Sequence, residues 1–126
     1  DVDRVHRRLG VDEHGKVWAG EYFGNQLEMI DPDTGKVVEY TLPLKYGNLY
    51  EAWPDQAGHV WSDVTRYNSL VGFDQNRKTF TYFPYPIFNG HAPKIEVDMQ
   101  GTLWFGLGSS LTGFRPKGNA PASASK

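Results

Sequence analysis

One histidine of this 126-residue sequence is the best candidate for acid–base or metal chemistry. His91, which follows Gly90, could act as a general base or a metal ligand, because imidazole titrates near neutral pH and binds divalent metals. A general base also needs a partner within hydrogen-bond reach, and a single histidine is more often an ordinary hydrogen-bonded residue. The residues alone therefore assign no catalytic group and no metal ligand, and leave His91 as a candidate.

Arg7 and Glu21 are a pair with opposite charges. They could bind an anion or form an ion pair in a channel. A structural pair across adjacent strands is the favoured interpretation, because such cross-strand pairs are common.

Several other chemistries are excluded by composition. The chain has no cysteine, which removes disulfides and thiolate zinc sites. Its formal charge of −2, without a Lys/Arg cluster, argues against a nucleic-acid partner. No apolar run approaches the ~20 residues of a membrane span. The segment 31–35 has Asp at alternate positions, but it lacks the later ligands of a calcium loop and is predicted to be a turn.

The elements that must position these side chains follow from a repeat. One eight-residue pattern occurs at 11–18, 54–61 and 97–104, and its Asp, Gly and Trp recur every 43 residues. The repeated positions are Asp12, Asp55 and Asp98; Gly15, Gly58 and Gly101; and Trp18, Trp61 and Trp104. A fixed period of this length predicts a repeat architecture, in which each unit buries its apolar face against the next. The tryptophans are therefore predicted to pack between units rather than to form a carbohydrate platform.

Each unit is predicted to form four short antiparallel strands joined by tight turns. The fourteen Gly and eight Pro of the chain favour such turns. The predicted strands are 5–11, 16–22, 26–30 and 36–42 in the first unit; 49–53, 60–64, 69–74 and 78–83 in the second; and 94–97, 103–106 and 111–114 in the third.

Four-stranded repeats of this length predict an all-β fold, a β-propeller of about three blades. The blades are predicted at 5–46, 47–89 and 90–117, the last without its outer strand, and 118–126 as a flexible C-terminal tail. Three blades do not close a ring. We therefore expect a partial ring of a larger propeller, whose remaining blades come from missing residues or from other chains.

Propeller ligands bind at the axial mouth, which two loops of each blade build. The loop that leads into each inner strand offers Tyr46, Asn48, Tyr50, Asn89 and His91. The loop between the second and third strands offers Tyr22, Asn25, Arg66, Tyr67 and Asn68. The predicted ligand-binding residues are Arg7, Asn48, Tyr50, Arg66, Tyr67 and His91.

The sequence also resembles a known family. The patterns Val-Asp-x-x-Gly-x-Val-Trp, Ile-Asp-Pro-x-Thr-Gly-Lys and Glu-Tyr-x-Leu-Pro are similar to those of the virginiamycin B lyases, also called streptogramin lyases. The resemblance runs from Val5 to about Pro116. It implies a seven-bladed propeller that opens a cyclic depsipeptide by elimination with the help of Mg²⁺.

The resemblance also implies where the family's catalytic residues should lie. Its His stands five residues before the repeated Asp, and its Glu lies on the next strand. The matching pairs in this chain are Arg7 and Glu21, Tyr50 and Val64, and Pro93 and Leu107. No blade holds the His and the Glu together. Glu21 stands in the matching place, and the resemblance makes it the second catalytic candidate beside His91.

Two functions follow as alternatives. The first is a binding or scaffold propeller segment that presents its mouth to a small-molecule or protein ligand. The second is a metal-assisted lyase or hydrolase of a cyclic peptide or lactone, with catalytic residues largely in blades outside this chain. The start at Asp1 without Met indicates a processed or artificial start, and we expect an exported protein, periplasmic or extracellular.

Overall fold

The computed structural model describes residues 5–117, which form three antiparallel sheets and almost no helix. The all-β prediction is confirmed. Residues 1–4 and the predicted tail 118–126 lie outside the described residues. No helix of the described chain is long and apolar enough to cross a membrane.

The first sheet has four strands in sequence order. They are β1 (His6–Val11), β2 (Val17–Glu21), β3 (Gln26–Ile30) and β4 (Val37–Thr41). All neighbours are antiparallel, and β1 carries a bulge between His6 and Leu9.

The second sheet repeats this arrangement. Its strands are β5 (Trp53–Pro54), β6 (His59–Val64), β7 (Ser69–Asp74) and β8 (Thr79–Pro84), with a short 3₁₀ turn at Thr65–Tyr67. The third sheet has β9 (Ile95–Val97), β10 (Leu103–Leu107) and β11 (Ser110–Phe114). Within the described residues, no strand lies outside β11.

The predicted strand 49–53 is wrong. The inner strand of the second sheet is the two-residue β5, and Leu49 joins the sheet only through an isolated bridge to Val64. The backbone N–H of Ala52 donates instead to the carbonyl of Arg8 in the first sheet, at 3.2 Å. This segment therefore links two sheets and does not run as a regular strand within one.

The repeated Asp shapes the hairpin between the first two strands of each sheet. In the second sheet, Oδ1 of Asp55 accepts hydrogen bonds from the backbone N–H of Ala57 and of His59, at 2.8 and 2.9 Å. Gly58 takes the positive φ of 88° that closes the turn. Asp12 and Asp98 accept the same pair of bonds in their own turns.

Two apolar clusters lie between the sheets. Trp18 of the first sheet packs against Phe73 of the second, with ring centroids 5.9 Å apart. Trp61 of the second sheet packs against Phe114 of the third, with ring centroids 6.1 Å apart. Trp18 and Trp61 thus pack between blades as predicted, whereas Trp104 of the third sheet is 41% exposed and packs against no further sheet among the described residues. The sheets stack face to face as propeller blades do.

Candidate functional site

The candidate ligand residues lie at one end of the sheets, which we call the mouth end. It contains the start of β1 and the loops 22–25, 42–48, 65–68 and 85–91, while the repeated Asp turns lie at the opposite end. Asn25 holds two of these loops together: its Oδ1 accepts from the N–H of Gly47 at 2.9 Å, and its Nδ2 donates to the carbonyl of Leu42 at 3.1 Å. Asn68 makes the corresponding pair of bonds one blade later.

At the mouth end, His91 is bound to a buried carboxylate. Its Nδ1 lies 2.7 Å from Oδ2 of Asp63, whose side chain is fully buried, while the His91 side chain is 37% exposed. A carboxylate can only accept, so the neutral ring is assigned the tautomer with the proton on Nδ1. Nε2 is then the acceptor nitrogen, and it has no hydrogen-bond partner among the described residues. Asp63 is thus the hydrogen-bond partner that a histidine base requires.

Asp63 is itself held by three other donors. The hydroxyl of Tyr85 donates to Oδ1 at 2.5 Å, the N–H of Ala92 donates to Oδ1 at 3.0 Å, and the hydroxyl of Thr65 donates to Oδ2 at 2.8 Å. Burial and the charge of Asp63 raise the pKa of Tyr85 far above its ordinary value, so the phenol stays a donor. Four hydrogen bonds to one buried carboxylate fix its position and therefore that of the His91 ring.

Aromatic rings continue the site away from His91. The ring of Tyr50 meets that of His91 edge to face at 4.9 Å, and Tyr22 meets Tyr50 in the same way at 6.0 Å. The guanidinium of Arg7 lies over Tyr22 at 4.9 Å and within 5.9 Å of the Tyr50 ring. Arg8 adds a second guanidinium 5.7 Å from Tyr50. The four side chains of Arg7, Tyr22, Tyr50 and His91 form a continuous row, which we call the mouth row.

A second acid lies close behind the mouth row. Glu51 is 1% exposed, and its Oε1 has no hydrogen-bond partner among residues 5–117. Burial raises the pKa of Glu51 to about 8, against the opposing attraction of Lys94 and Arg8, and the charge of Asp63 raises it further. Glu51 is therefore largely protonated at neutral pH, so the charged carboxylate beside His91 is that of Asp63.

The structure brings together three of the six predicted ligand residues, Arg7, Tyr50 and His91. Asn48 is 8% exposed in a left-handed turn with φ of 60°. The hydroxyl of Tyr67 donates to the carbonyl of Lys45 at 2.7 Å. Arg66 is exposed in the 3₁₀ turn, and its backbone N–H donates a hydrogen bond to the carbonyl of Gly47.

The expected pairing of Arg7 with Glu21 is wrong. Glu21 is fully buried and lies opposite His6 in the register of β1 and β2, while Arg7 turns to the tyrosine rings. The bulge in β1 accompanies this change of partner.

The Mg²⁺ that the resemblance implies does not fit the matched positions. The first matched pair offers one carboxylate, that of Glu21, with an arginine at the other position, and the other pairs offer a tyrosine or a proline with an apolar residue. Mg²⁺ takes its protein ligands from oxygen, usually carboxylates, and no matched pair supplies more than one carboxylate. The matched positions of this chain therefore do not form a Mg²⁺ site.

Sequence reasoning missed Asp63. The equivalent positions in the first and third units are Gly20 and Gly106, so only the second unit has an acid where the others have glycine. This difference was the sequence signal that could have identified Asp63. Its pairing with a histidine 28 residues later depends on the contact between two blades, which periodicity alone does not reveal.

Comparison with known proteins finds structural likeness only. No known family profile and no curated protein sequence matches the chain. Among solved structures, a streptogramin B lyase superposes with a TM-score of 0.73 at 21% identity, over 82% of this chain and 34% of the lyase. A catalytically inactive virginiamycin B lyase from Staphylococcus aureus, solved with quinupristin, superposes with a TM-score of 0.73 at 19% identity, over 94% of this chain and 43% of that enzyme.

A third likeness comes from another class of protein. The extracellular domain of a one-component-system protein from B. thetaiotaomicron superposes with a TM-score of 0.70 at 14% identity, over 91% of this chain and 16% of that one. The chain thus spans less than half the length of the lyases that it matches, and at these identities the likeness concerns the fold. The chain therefore has the β-propeller fold of the virginiamycin B lyase type, as consecutive blades of a partial ring.

Proposed function

We propose that the chain is a binding segment of a propeller and that the mouth row takes a small anionic ligand with a flat apolar part. The observation that carries this proposal is the unbroken contact from Arg7 through Tyr22 and Tyr50 to His91. Tyrosine rings offer apolar faces with a hydroxyl at one edge, and the guanidinium pairs with carboxylate or phosphate.

The shape of the mouth row decides what kind of ligand fits. Its rings stand edge to face, so a planar group can lie against one ring while its charged end reaches Arg7. His91 lies at the other end and offers Nε2 as an acceptor for a hydroxyl or amide of the ligand. A ligand of this class is held at both ends.

Amide chemical-shift mapping with three probes tests this proposal. Benzoate has both the charge and the ring, acetate has only the charge, and benzyl alcohol has only the ring. We expect benzoate to shift the signals of Tyr22, Tyr50 and His91 most strongly. Arg7→Ala should lower the affinity for benzoate about tenfold, which corresponds to ~1.4 kcal/mol. Lys36→Ala, in an exposed turn at the opposite end, is the matched control. Equal weakening by both variants, or shifts away from the mouth end, would overturn the proposal.

A second candidate function is favoured by the pairing of Asp63 with His91. An imidazole held by a buried carboxylate can take a proton from a substrate carbon, which begins the elimination that opens a lactone, or from an attacking water, which begins the hydrolysis of a cyclic peptide or lactone. The remaining catalytic groups would lie in blades outside this chain.

Incubation with quinupristin distinguishes the two candidates. Elimination would give an isomer with a new retention time, and hydrolysis would add one water to the mass. Either product, absent with His91→Ala, would support the second candidate. Because the other catalytic groups would lie in further blades, the incubation must use the complete propeller that contains this chain. Unchanged quinupristin with that complete propeller would remove the second candidate and leave the binding function.

We also propose that further blades pack against the third sheet, from other parts of a longer chain or from other copies. Trp18 and Trp61 are 2% and 1% exposed between blades, while Trp104 of the third sheet is 41% exposed. Analytical ultracentrifugation should therefore give a mass above the 14.2 kDa of one chain. A monomer of 14.2 kDa that also resists unfolding would show that the third sheet needs no further blade and would contradict this proposal. Because two solved structures of the extracellular domain of one B. thetaiotaomicron protein resemble the chain, we propose an exported location as well.

A further inference from the structure

A cluster of potential metal ligands lies on the first sheet, apart from the mouth row. His6, Glu21 and Glu28 each offer one ligand atom, and these atoms lie within 4.8 Å of one another. Nε2 of His6 is 2.7 Å from Oε2 of Glu28. The three residues come from the adjacent strands β1, β2 and β3. Rigid neighbouring strands thus bring an imidazole and two carboxylates to one point.

The cluster lies on the face of the first sheet that turns away from the second. Trp18 and Leu27 point toward the second sheet, where they join the apolar cluster with Phe73. Glu21 is three residues after Trp18 and Glu28 is one after Leu27. Successive side chains of a strand alternate between faces, so both glutamates lie on the opposite face.

The same positions one repeat later contain no polar group. Adding 43 to each number gives Leu49, Val64 and Val71, which are at most 1% exposed and belong to the core between the first two sheets. The first blade therefore replaces three core residues with three ligand-type residues at equivalent places. A face that needed only packing would keep the apolar residues, which cost nothing to bury.

Burial makes the cluster costly unless its charges are compensated. Glu21 is fully buried and Glu28 is 6% exposed, whereas the His6 side chain is 42% exposed. Two neighbouring carboxylates in a buried place repel one another when both are charged, and a cation between them removes that cost.

We propose that His6, Glu21 and Glu28 bind a divalent transition-metal ion of the zinc class. One imidazole nitrogen and two carboxylate oxygens are a ligand set that suits zinc, cobalt or manganese better than magnesium, which prefers oxygen alone. The partial exposure of His6 gives the ion a path of entry and leaves room for water or a further ligand. The ion would fasten three strands of the first blade together.

Titration with Co²⁺ tests the proposal. Co²⁺ bound by nitrogen and oxygen ligands of a protein absorbs visible light much more strongly than hydrated Co²⁺ does, so binding can be followed directly. We expect one ion per chain, displacement by Zn²⁺ but not by Mg²⁺, and a rise in Tm with the bound ion. His6→Ala should weaken binding at least tenfold. His14→Ala removes an exposed histidine at the opposite end and should change nothing.

A triple variant completes the test. His6→Leu with Glu21→Val and Glu28→Val installs the side chains that the second blade already has, so it should keep the strand signal in circular dichroism and lose the ion. If it does not fold, the single His6→Ala variant at an exposed position decides the matter. No cobalt band in the wild-type chain, or the same affinity in His6→Ala, would overturn the proposal.

Discussion

The indole Nε1–H of Trp61 donates a hydrogen bond of 2.7 Å to Oδ2 of Asp55, six residues earlier in the chain. Trp18 makes this bond to Asp12 at 2.8 Å, and Trp104 makes it to Asp98 at 2.9 Å. The repeated Asp therefore does two things, since one oxygen closes the turn and the other fixes the tryptophan that packs between blades. This explains why the two residues recur together.

Replacement of Asp55 by Ala should destabilise the chain by about 2 to 3 kcal/mol, because it leaves the indole N–H of the 1% exposed Trp61 buried without an acceptor. Urea denaturation of the variant measures the loss. Asp98→Ala is the control: Trp104 is 41% exposed, so water can replace the carboxylate, and we expect a loss below about 1 kcal/mol. Equal losses in the two variants would contradict this account of the motif.

Gly72→Ala should also weaken the contact between blades. A Cβ at Gly72 would lie 2.7 Å from the ring of Trp61, so the tryptophan or the strand would have to move, at a cost of about 1 to 3 kcal/mol. The matched variant is Gly106→Ala, where a Cβ would meet nothing within 4 Å, and its change should stay within about 0.5 kcal/mol. Thermal unfolding of both variants checks the difference.

Glu51 should make the stability depend on pH. Its pKa is about 8 in the folded chain and near 4.5 when unfolded, so the folded state binds the extra proton between these values. The free energy of unfolding should therefore fall as pH rises from 5 to 8, by at most about 1.4 kcal/mol per pH unit. Glu51→Gln, which cannot ionise, should remove this part of the slope. Parallel curves for the two proteins would show that Glu51 does not hold its proton.

The repeat in the sequence was enough to predict the fold but not the site. Asp12, Gly15 and Trp18 recur because every blade needs the same turn and the same packing, and such shared needs are visible as a period. The indole bond was also accessible, since Asp and Trp keep a spacing of six in all three copies. Asp63 and the cluster of His6, Glu21 and Glu28 were not, because each occurs once and depends on contacts across strands or blades.

Both candidate functions depend on one claim, that Asp63 holds the proton of His91 on Nδ1 and leaves Nε2 as the acceptor. The ¹⁵N chemical shifts of the His91 ring at a pH where it is neutral measure this directly. We predict a protonated Nδ1 and an unprotonated Nε2 in the wild-type chain, with a loss of this preference in Asp63→Asn. A proton on Nε2 in the wild-type chain, or the same spectrum in both proteins, would contradict the account.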